Sequence, residues 1–537
     1  MAFGSCFIYT AYAGRPTNFL YELNFSIGPS SKLIQTALER VFKIYNTLTR
    51  SSDAIKTQKK GHLTFYSCGP TVYSYAHIGN FRSFVTADLI LRTAKSLGWT
   101  VQYATNITDV GHLTEDDVAG SSGEDKMAKA LRSKDGDQFA NVWDLARFYS
   151  TRLIEDWHLL NLVEPTVRPR ATEHIREQIA AVQVLIDKGH AYETSSGVYF
   201  SVTSFPTYGK LSGNTLDNEL EQTVRDVVVD PEKRDPRDFA LWKKDDKHLM
   251  QWYSPWGWGF PGWHIECSVM AMNYLGDEID LHAGGEDLIF PHHECEIAQS
   301  ESLTGKPFSK YWVHTRFLQV EGEKMSKSLG NFFTVRDLVA PEAEGGKGVD
   351  PLAVRMTLMS GHYGKPFNFT LKTLKGNVKH RERLAEIIQT VGLPADSGLS
   401  YTGPFGTILE AMYNRALDAM TEDLNTPSAL AALFGGTKQI LAKLGSLSAE
   451  DTTSVQRWLW DMNNLLGVVY STQTTESSEP AIDPLEATVQ PLLDQRKEAR
   501  ASGNWGRADE IRDQLLQMGI EIMDTPTGAK WKKTGSI

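Results

Sequence analysis

The chain has 537 residues, 41% of them hydrophobic, and it carries a formal net charge of −11. This content suffices for several buried cores, no apolar run reaches the ~20 residues that span a bilayer, and the acidic balance argues against indiscriminate coating of nucleic acids, although not against a local basic surface. The four cysteines (Cys6, Cys68, Cys267 and Cys295) are too widely spaced for a secreted disulfide framework, which indicates a reducing compartment and free thiols.

Residues 1–40 hold three basic and two acidic side chains. Arginine is too rare there for a typical transit peptide, and no secretory signal is evident. We interpret the segment as an N-terminal extension and expect a cytoplasmic protein, with organellar targeting by this segment as the alternative.

A β-loop-α-β unit opens the first recognisable domain. An apolar strand over 62–67 enters a loop that holds Cys68, and a second strand is predicted over 100–107. Between them the segment FRSFVTADLILRTAKSLGW, starting near Phe81, predicts a helix. Its apolar stripe is formed by Val85, Leu89, Ile90 and Ala94. Such a unit places a ligand crevice at the carboxyl end of its first strand.

The loop of this unit ends in His77-Ile78-Gly79-Asn80, at the expected start of the helix. A helix start is positively polarised, and Gly79 lacks the Cβ that would keep a phosphate away. His77 can donate a hydrogen bond to a phosphoryl oxygen. These features favour a nucleotide phosphate in the crevice, although a histidine at such a place is more often a cap or a packed side chain.

Composition and periodicity divide the rest of the chain. Helical patterns, a strand pair and a charge-rich stretch predict an insertion, dense aromatics indicate the return of the sheet, and helical periodicity dominates afterwards. A Ser/Thr/Glu-rich stretch reads as a linker. The predicted segments are an extension (1–40), the first half of a parallel-sheet domain (41–114), an insertion (115–235), the second half (236–320), a lysine-rich loop region (321–360), a helical bundle (361–470), the linker (471–484) and a small C-terminal domain (485–537).

A candidate metal site lies in the segments GWHIECS and DLHAGGEDLIFPHHECEIAQSE. With Pro291 in the first turn of a helix, His292 and Glu296 are four residues apart and share a face. Together with Cys68 and Cys267 they offer two thiolates, an imidazole and a carboxylate, all of which zinc accepts.

Other interpretations of this segment stay open at this point. His293 or Cys295 could replace one of the ligands, and an isolated His-x-x-x-Glu is usually a solvated helix face. The presence of rare cysteines in both crevice segments favours the metal site.

A second candidate site is the stretch Glu323–Asn331, EKMSKSLGN. Lys324 and Lys327, with Gly330 close behind, suit a mobile loop that closes on a polyphosphate and neutralises its developing charge. The alternative is a solvated basic turn. The presence of HIGN before it, in a split nucleotide-binding fold, favours the phosphate-binding interpretation.

With these motifs the chain resembles the class I aminoacyl-tRNA synthetases, which share HIGH-type and KMSKS motifs. Within that class it resembles the members that charge cysteine. The resemblance covers about residues 41–533. It rests on the motifs CGPTVYSYAHIGNFRSF, NITDV, DPRDFALWK, PGWHIECS, DLHAGGEDLIFPHHECEIAQSE, EKMSKSLGNFF and ARASGNWGRADEIRDQLLQMGI. It implies an α/β fold with a split Rossmann-type catalytic domain and a connective insertion, followed by an α-helical bundle and a small anticodon-binding domain.

The resemblance also implies a ligand set and a substrate. One zinc ion is expected at the positions of Cys68, Cys267, His292 and Glu296, where it binds the sulfur of L-cysteine. The residues expected to hold or surround the bound amino acid are Thr71, Thr108, Trp263 and His282.

For the nucleotide, the resemblance implies ATP with Mg²⁺. Lys324 and Lys327 match the mobile loop and are expected to act in catalysis together with His77 and Asn80. The residues expected to contact ATP are His77, Gly79, Asn80, Asp287 and Lys327. The further partner is tRNA(Cys), bound by the bundle and the C-terminal domain, and the protein is expected to be a monomer.

Two positions depart from the family pattern. Asn80 replaces the final histidine of HIGH, which is compatible with hydrogen bonding, and Gly364 stands where the family often has arginine. The chain contains no Ser-His-Asp pattern for covalent catalysis.

Three other functions fit parts of the sequence. They are a tRNA-independent cysteine ligase of the same ancestry, a nucleic-acid-binding protein with a structural zinc site, and a nucleotidyltransferase for a small alcohol. Cations near Trp505 and in the segment Lys530–Lys533 suit an RNA loop, but acidic neighbours account for many of them. The cations near Trp505 are Arg496, Lys497, Arg500, Arg507 and Arg512.

Overall fold

Strands from both halves of the chain meet in one parallel sheet. The computed structural model describes residues 40–111, 113, 124–215, 231–326, 329–393, 398–472, 492–493, 495–497, 499–500, 503–517, 520–525 and 528–533. Most of the predicted extension, residues 473–484 of the predicted linker, and Lys327 lie outside these ranges.

Strands occur in both halves of the chain. They are β1 (Lys43–Asn46), β2 (Ser51–Ala54), β3 (His62–Ser67), β4 (Thr100–Thr105), β5 (Ala191–Glu193), β6 (Gly197–Phe200), β7 (Phe239–Lys244), β8 (Trp252–Ser254), β9 (Gly257–Pro261), β10 (Ile279–Gly285), β11 (Ser309–Thr315), β12 (Leu318–Val320), β13 (Glu323–Lys324), β14 (Phe367–Phe369), β15 (Ile520–Thr525) and β16 (Gly528–Lys533).

The α-helices follow the same order. They are α1 (Ile78–Ser96), α2 (Lys126–Leu131), α3 (Val142–Leu159), α4 (Ile175–Asp187), α5 (Trp263–Leu275), α6 (Glu294–Thr304), α7 (Val335–Val339), α8 (Pro351–Leu358), α9 (Leu371–Val391), α10 (Gly403–Thr421), α11 (Thr426–Lys443), α12 (Ala449–Leu466) and α13 (Trp505–Gln517). No helix of the described ranges is long and apolar enough to cross a membrane.

The central sheet has the order β11-β10-β3-β4, and all neighbours are parallel. The connection from β3 through α1 leads to β4 on one side, whereas the connection from β10 through α6 leads to β11 on the other. The order therefore reverses between β3 and β10, where Ala283 pairs with Ser67. In a sheet of this kind the ligand crevice opens at the carboxyl ends of these two strands. The predicted split Rossmann-type fold is confirmed.

Helix α1 begins earlier than the sequence predicted, at Ile78 instead of near Phe81. The cause is a reciprocal cap: the backbone N–H of Asn80 donates to Nδ1 of His77 at 3.2 Å, and the backbone N–H of His77 donates to Oδ1 of Asn80 at 3.1 Å. The predicted apolar stripe is buried along this helix. The cap fixes the HIGN segment at the mouth of the crevice.

The insertion forms a separate antiparallel sheet in the order β5-β6-β7-β9-β8. The predicted strand pair near 191–202 corresponds to β5 and β6. The sequence placed residues 236–261 in the second half of the parallel domain, but β7 pairs with β6 and β9 pairs with β7. The dense aromatic residues of this stretch, such as Trp242, indicate that it is buried, but they do not indicate to which sheet it belongs. The return to the parallel domain therefore begins at α5.

The remaining elements form two further regions. A small sheet in the order β13-β12-β14 joins the lysine loop to α9, and helices α8 to α12 make up the helical region. The chain divides into two compact units after Ser471. In the second unit α13 precedes an antiparallel hairpin of β15 and β16.

A buried ionic cluster joins α1 to the helical region. Asp88 accepts hydrogen bonds from Arg92 at 2.7 Å and from Arg355 of α8. The two guanidinium groups also donate to carbonyls at the end of α12, including Asn463 O at 3.0 Å and Leu466 O at 2.9 Å. Burial opposes ionisation of Asp88, but Arg355 and Arg92 outweigh it and lower the pKa of this carboxyl. The cluster therefore holds the helix of the crevice against α12.

Replacement of Asp88 by Asn should destabilise the protein by about 3–5 kcal/mol, because two buried guanidinium groups lose their carboxylate. Urea titration followed by circular dichroism measures the loss. The matched control is Lys43→Gln, which removes an exposed ion pair with Glu422 and should change stability little. Equal losses of stability in the two variants would contradict the stabilising role of the buried cluster around Asp88.

Candidate metal and nucleotide site

The four predicted metal ligands come from separate elements and converge in the crevice. Cys68 follows β3, Cys267 lies in α5, His292 precedes α6 and Glu296 lies in its first turn. All four are buried, and their ligand atoms lie within 4.8 Å of one another. The Sγ atoms of Cys68 and Cys267 are 3.9 Å apart, and Nε2 of His292 is 3.0 Å from Oε1 of Glu296. The group could therefore hold a metal ion.

Helix α6 starts three residues after Pro291, although the sequence put Pro291 in the first turn. A wider turn, Ile289–His293, precedes it. His292 still reaches Glu296 because the backbone is helical again at His293 and Glu294, after the non-helical Phe290. The two side chains meet as their spacing predicts, although the helix begins later.

The two alternative ligands occupy different places. Cys295 faces away from the group, with its Sγ 3.7 Å from the hydroxyl of Tyr208. Nε2 of His293 is 3.4 Å from Sγ of Cys68, so a second group of Cys68, Glu296, His282 and His293 also satisfies the distance limit. Burial and the neighbouring His282 hold the pKa of His293 well below its usual range. His293 is thus a neutral imidazole beside the first group.

The side chains of the first group shift one another's protonation. The hydrogen bond from Cys68 lowers the pKa of Cys267 to about 6 despite burial, whereas burial raises that of Cys68 well above its usual range. Burial opposes charge on His292, but Glu296 and Cys267 outweigh it and raise its pKa to about 10. Burial is likewise outweighed at Glu296, where His282 and His292 lower the pKa well below its usual range. The cluster holds a carboxylate, a thiolate and an imidazolium, so a cation bound there would displace protons.

Supporting residues orient the ligand His292 and the adjacent His293, and the sequence did not single out three of them. Nδ1 of His264 lies 2.9 Å from Nδ1 of His292, and Nδ1 of His293 lies 2.8 Å from Nε2 of His314. Nδ1 of His314 is 2.7 Å from Oγ1 of Thr47. A buried histidine in a strand or helix gives no sequence sign of its partner. Only the concentration of histidines in these segments could have pointed to them.

His282 is fully buried, with its Nε2 2.9 Å from Oε2 of Glu296. Its ring stacks on Trp312 at 4.5 Å. Among the predicted substrate residues it therefore lies behind the metal group and orients the carboxylate. Trp263 packs its ring on His292 at a centroid distance of 4.2 Å.

Thr71 and Thr108 lie next to each other, because their backbones pair after the ends of β3 and β4. The loop that carries Thr71 is pressed against the segment after β4. A Cβ on Gly69 would lie 1.7 Å from the carbonyl oxygen of Asn106, so only glycine fits there. The N–H of Gly69 donates to Oδ1 of Asn106 at 2.7 Å. The two threonines thus form one wall of the crevice beside Cys68.

The HIGN segment, which the sequence predicts to contact a nucleotide, lies at the start of α1. His77 is the cap that the sequence offered as the alternative, and this role uses only its Nδ1. Burial lowers its pKa, so the ring is neutral, and Nε2 has no hydrogen-bond partner in the described part of the chain. A Cβ on Gly79 would lie 2.9 Å from Cε of Met325. Gly79 therefore allows the lysine loop to approach the helix start.

The residues that follow the lysine loop rest on the HIGN segment. The N–H of Ile78 donates to the carbonyl of Phe333 at 2.9 Å, and the backbone of Thr334 pairs with that of His77. Asn331 closes the loop, since its Oδ1 accepts from the N–H of Ser326 at 2.8 Å.

The remaining predicted nucleotide contacts stand at the mouth of the crevice or outside the described residues. Lys324 is exposed on β13, and Asp287 is exposed in the turn after β10. Lys327 lies outside the described residues.

Comparison with known proteins decides the family. The family model for the class I (C) tRNA synthetase catalytic domain matches residues 54–379, that for the DALR domain matches 417–470, and that for the cysteinyl-tRNA ligase anticodon binding domain matches 483–531. The cysteine--tRNA ligase of Salinibacter ruber is 55% identical over 512 residues, covering 92% of this chain and 99% of that protein. The chain belongs to the cysteinyl-tRNA synthetase family. A second relative, the cysteine--tRNA ligase of Chlorobium chlorochromatii, is 41% identical over 498 residues, with coverage of 92% and 99%.

Among solved structures, methionyl-tRNA synthetase of Mycobacterium tuberculosis in complex with methionyl-adenylate superposes with a TM-score of 0.51. It covers 76% of this chain and 90% of that chain at 14% identity. The likeness supports the class I synthetase fold.

The departure at Gly364 can be located in this synthetase fold. Gly364 is exposed in a turn whose carbonyls, those of His362 and Lys365, accept hydrogen bonds from Arg82 of α1 at 3.0 and 3.1 Å. The turn is thus held by a cation of the catalytic domain. Glycine itself adds no cation to this turn, where the neighbouring Lys365 is exposed.

Arg336, which the sequence did not single out, connects three parts of the synthetase site. It lies in α7 directly after the lysine loop, its guanidinium stands over the ring of Tyr75 at 5.9 Å, and it pairs with Glu155 and Asp156 of α3. The Nε–Oδ1 distance to Asp156 is 3.0 Å, and the Asp156 side chain is 1% exposed. Arg336 thus connects the helix that follows the lysine loop with Tyr75, two residues before His77, and with α3.

Stability should depend on pH through Asp156. Burial raises its pKa to about 7 from a usual value of 3.8, although Arg336 opposes the shift. Folding therefore favours the protonated form, whose stabilising contribution is complete below about pH 4 and is lost as the pH rises through 7. The Asp156→Asn variant does not titrate at this position. Relative to it, the unmodified protein should lose up to about 4 kcal/mol of unfolding free energy between about pH 4 and 7.

Urea unfolding of both proteins between pH 4 and 8 measures this difference. A difference in unfolding free energy that stays constant over the range would contradict the shifted pKa.

Proposed function

We propose that the protein is a zinc-dependent cysteine--tRNA ligase. It activates L-cysteine with ATP to cysteinyl-adenylate, releasing diphosphate, and transfers the cysteinyl group to the terminal ribose of tRNA(Cys). The observation that carries the proposal is the position of the four-donor group in the same crevice as the HIGN helix start and the lysine loop. An amino acid held at the donors would have its carboxylate directed toward a nucleotide at the helix start.

The donor set fits zinc. Cys68, Cys267, His292 and Glu296 supply two sulfurs, a nitrogen and an oxygen in a buried group, the mixture that zinc accepts. A zinc ion bound there supplies a bond to the sulfur of cysteine. His264 and His282 hold the rings and the carboxylate in place through hydrogen bonds, as second ligand shells commonly do.

The amino acid is positioned by the residues around the donors. Thr71 and Thr108 line one wall, and Trp263 lies against His292 and limits the space for the side chain. His282 acts indirectly, through Glu296. This arrangement places the substrate carboxylate for in-line attack on the α-phosphorus, whose bond to the diphosphate breaks.

On the ATP side, the chain supplies charge and hydrogen bonds. Nε2 of neutral His77 and the polarised start of α1 face the phosphates, with Asn80 in support and Gly79 leaving space. Lys324 and Lys327 neutralise the charge that develops on the leaving diphosphate, and Mg²⁺ accompanies ATP. Asp287, exposed at the mouth of the crevice, binds the nucleoside part.

In the second step the terminal hydroxyl of the tRNA attacks the carbonyl carbon of the adenylate, and AMP leaves. The match of residues 483–531 to an anticodon binding domain supports tRNA as acceptor over the tRNA-independent ligase. Within the C-terminal unit Arg500 stands over Trp505 at 5.9 Å, whereas Arg507 pairs with Glu510 at 2.9 Å. The first pair is the better candidate for contact with an RNA base. The monomeric state remains a prediction.

Cys267→Ser should lose bound zinc, because a hydroxyl is a much weaker ligand than a thiolate. The control is Cys295→Ser, since Cys295 is equally buried but faces Tyr208. Plasma emission analysis after dialysis measures the metal. One equivalent is expected in the control and little in Cys267→Ser, and the opposite pattern would refute the ligand set.

Cysteine-dependent exchange of labelled diphosphate into ATP tests the activity itself. The unmodified enzyme should exchange with cysteine and discriminate against serine by ~10⁴ or more, because the site is built around a bond that a hydroxyl cannot make. Charging of purified tRNA(Cys) should follow. Exchange supported equally by serine would overturn the proposal, as would zinc-free Cys267→Ser with undiminished exchange.

A further inference from the structure

Helix α3 of the insertion supports the loop that leads into α1. Near the end of this loop, the ring of Tyr75 packs edge-on against two aromatic rings of α3, with centroid distances of 5.3 Å to Tyr149 and 6.2 Å to Phe148. Helix α3 in turn contacts α1, because Trp157 lies against Phe84 at 5.4 Å. The insertion therefore holds the chain in place two residues before the HIGN segment.

The residues after the lysine loop contact His77 directly. The ring of Phe332 meets the imidazole of His77 edge-on at a centroid distance of 5.3 Å. The backbones of Thr334 and His77 pair, and Thr334 is also the N-cap residue of α7. The N–H of Ile78 donates to the carbonyl of Phe333 at 2.9 Å. The position of the His77 ring therefore depends on the position of α7.

Arg336 of α7 completes the connection to α3. Its guanidinium pairs with Glu155, and its Nε is 3.0 Å from Oδ1 of Asp156. It also stands over the ring of Tyr75 at 5.9 Å. Within the described ranges, Arg336 is the only cation within 4.0 Å of Asp156, whose side chain is 1% exposed. One side chain thus connects the segment after the lysine loop and the loop before His77 with the same helix.

The pairing of Arg336 with Asp156 is a poor means of stabilising the fold. A buried carboxylate loses its hydration, and an interior ion pair compensates for this loss only when its geometry is excellent. Neither oxygen of Asp156 accepts a well-aligned hydrogen bond from the described part of the chain. An apolar side chain of similar size would fill the space as well. What the buried charge adds at this place is a fixed position for Arg336.

We propose that Arg336 is a positioning residue of the proposed reaction: through its anchor on α3, it holds the segment after the lysine loop so that Nε2 of His77 faces the phosphates of ATP. The inference rests on the proposed function. His77 contacts the nucleotide, and Arg336 acts through His77. Misplacement of such a group by about 1 Å can cost roughly 10²-fold in rate. The four metal donors lie on other elements, so the binding of cysteine should not depend on Arg336.

The test uses the full chain with one substitution and a matched control. Arg336→Gln removes the cation and keeps a polar side chain. The control is Arg152→Gln, since Arg152 donates to the same Oε2 of Glu155 at 2.6 Å and stands over Phe148 at 4.9 Å. Arg152 belongs to α3 itself. Both substitutions remove a cation from Glu155, but only the first separates α7 from α3.

Exchange of labelled diphosphate into ATP is measured over a range of ATP and of cysteine concentrations. Arg336→Gln should lower kcat/KM for ATP roughly 10- to 100-fold, because the imidazole of His77 is no longer held in place. The KM for cysteine and the bound zinc should match those of the unmodified enzyme. The control should change each of these quantities less than about twofold, the effect expected for a surface cation.

A double-mutant cycle with His77→Asn separates positioning from a general loss of structure. Asparagine can still cap α1, but it lacks the second ring nitrogen of histidine. If Arg336 acts through His77, then Arg336→Gln added to His77→Asn should cause little further loss of kcat/KM for ATP. Losses that multiply in the double variant would overturn the inference. A loss in Arg336→Gln no larger than that in Arg152→Gln would also overturn it.

Arg336→Gln leaves Asp156 buried without its cation. If this variant unfolds below the assay temperature, its combination with Asp156→Asn removes the orphaned carboxylate, and the same losses are expected. Absence of exchange in the unmodified protein would contradict the proposed function. ATP affinity, measured by calorimetry without cysteine, would then decide the inference: it should fall in Arg336→Gln and not in Arg152→Gln, and equal affinities of the two variants would overturn it.

Discussion

The convergence of Cys68, Cys267, His292 and Glu296 constrains the rest of the catalytic domain. These residues span more than two hundred positions of the chain, and their donor atoms meet only because β3 and β10 are neighbours in one parallel sheet. An antiparallel insertion separates the two halves in sequence, but its last strand, β9, runs directly into α5. The insertion therefore leads directly into the helix that places Cys267 in the crevice.

The same edge of the sheet brings the candidate metal group and the HIGN helix start into one crevice. The loop after β3 carries Cys68 at its start and the HIGN segment at its end, so one short loop spans the metal group and the helix start. One glycine makes this loop fit, since a Cβ on Gly69 would lie 1.7 Å from the backbone carbonyl oxygen of Asn106. A side chain at this position would therefore displace the loop next to Cys68. The geometry needed for the proposed in-line attack thus depends on backbone packing as much as on the reactive groups.

Much of this arrangement could be predicted from the sequence, and the limits have physical causes. The helical spacing of His292 and Glu296 and the apolar stripe of α1 are local patterns, and the structure reproduces both. The return point of the parallel sheet was misplaced because aromatic density measures burial and does not identify the partner strand.

Networks of side-chain contacts could not be predicted from the sequence either. The chain from His293 through His314 to Thr47, and the contacts of Arg336 with Tyr75 and Asp156, join residues far apart in sequence. No local periodicity encodes such pairs. His77 illustrates a different limit: its residue type suits either a helix cap or a phosphate contact, but the ring has two nitrogens, and the cap uses only Nδ1.

We propose that the enzyme selects its amino acid through a bond from the substrate sulfur to zinc held by these four residues. X-ray absorption at the zinc edge, recorded with and without substrate, detects such a bond. We expect sulfur neighbours at about 2.3 Å whose number rises by one when cysteine is added and stays constant with serine. A spectrum that cysteine leaves unchanged, although cysteine-dependent exchange is active under the same conditions, would contradict it.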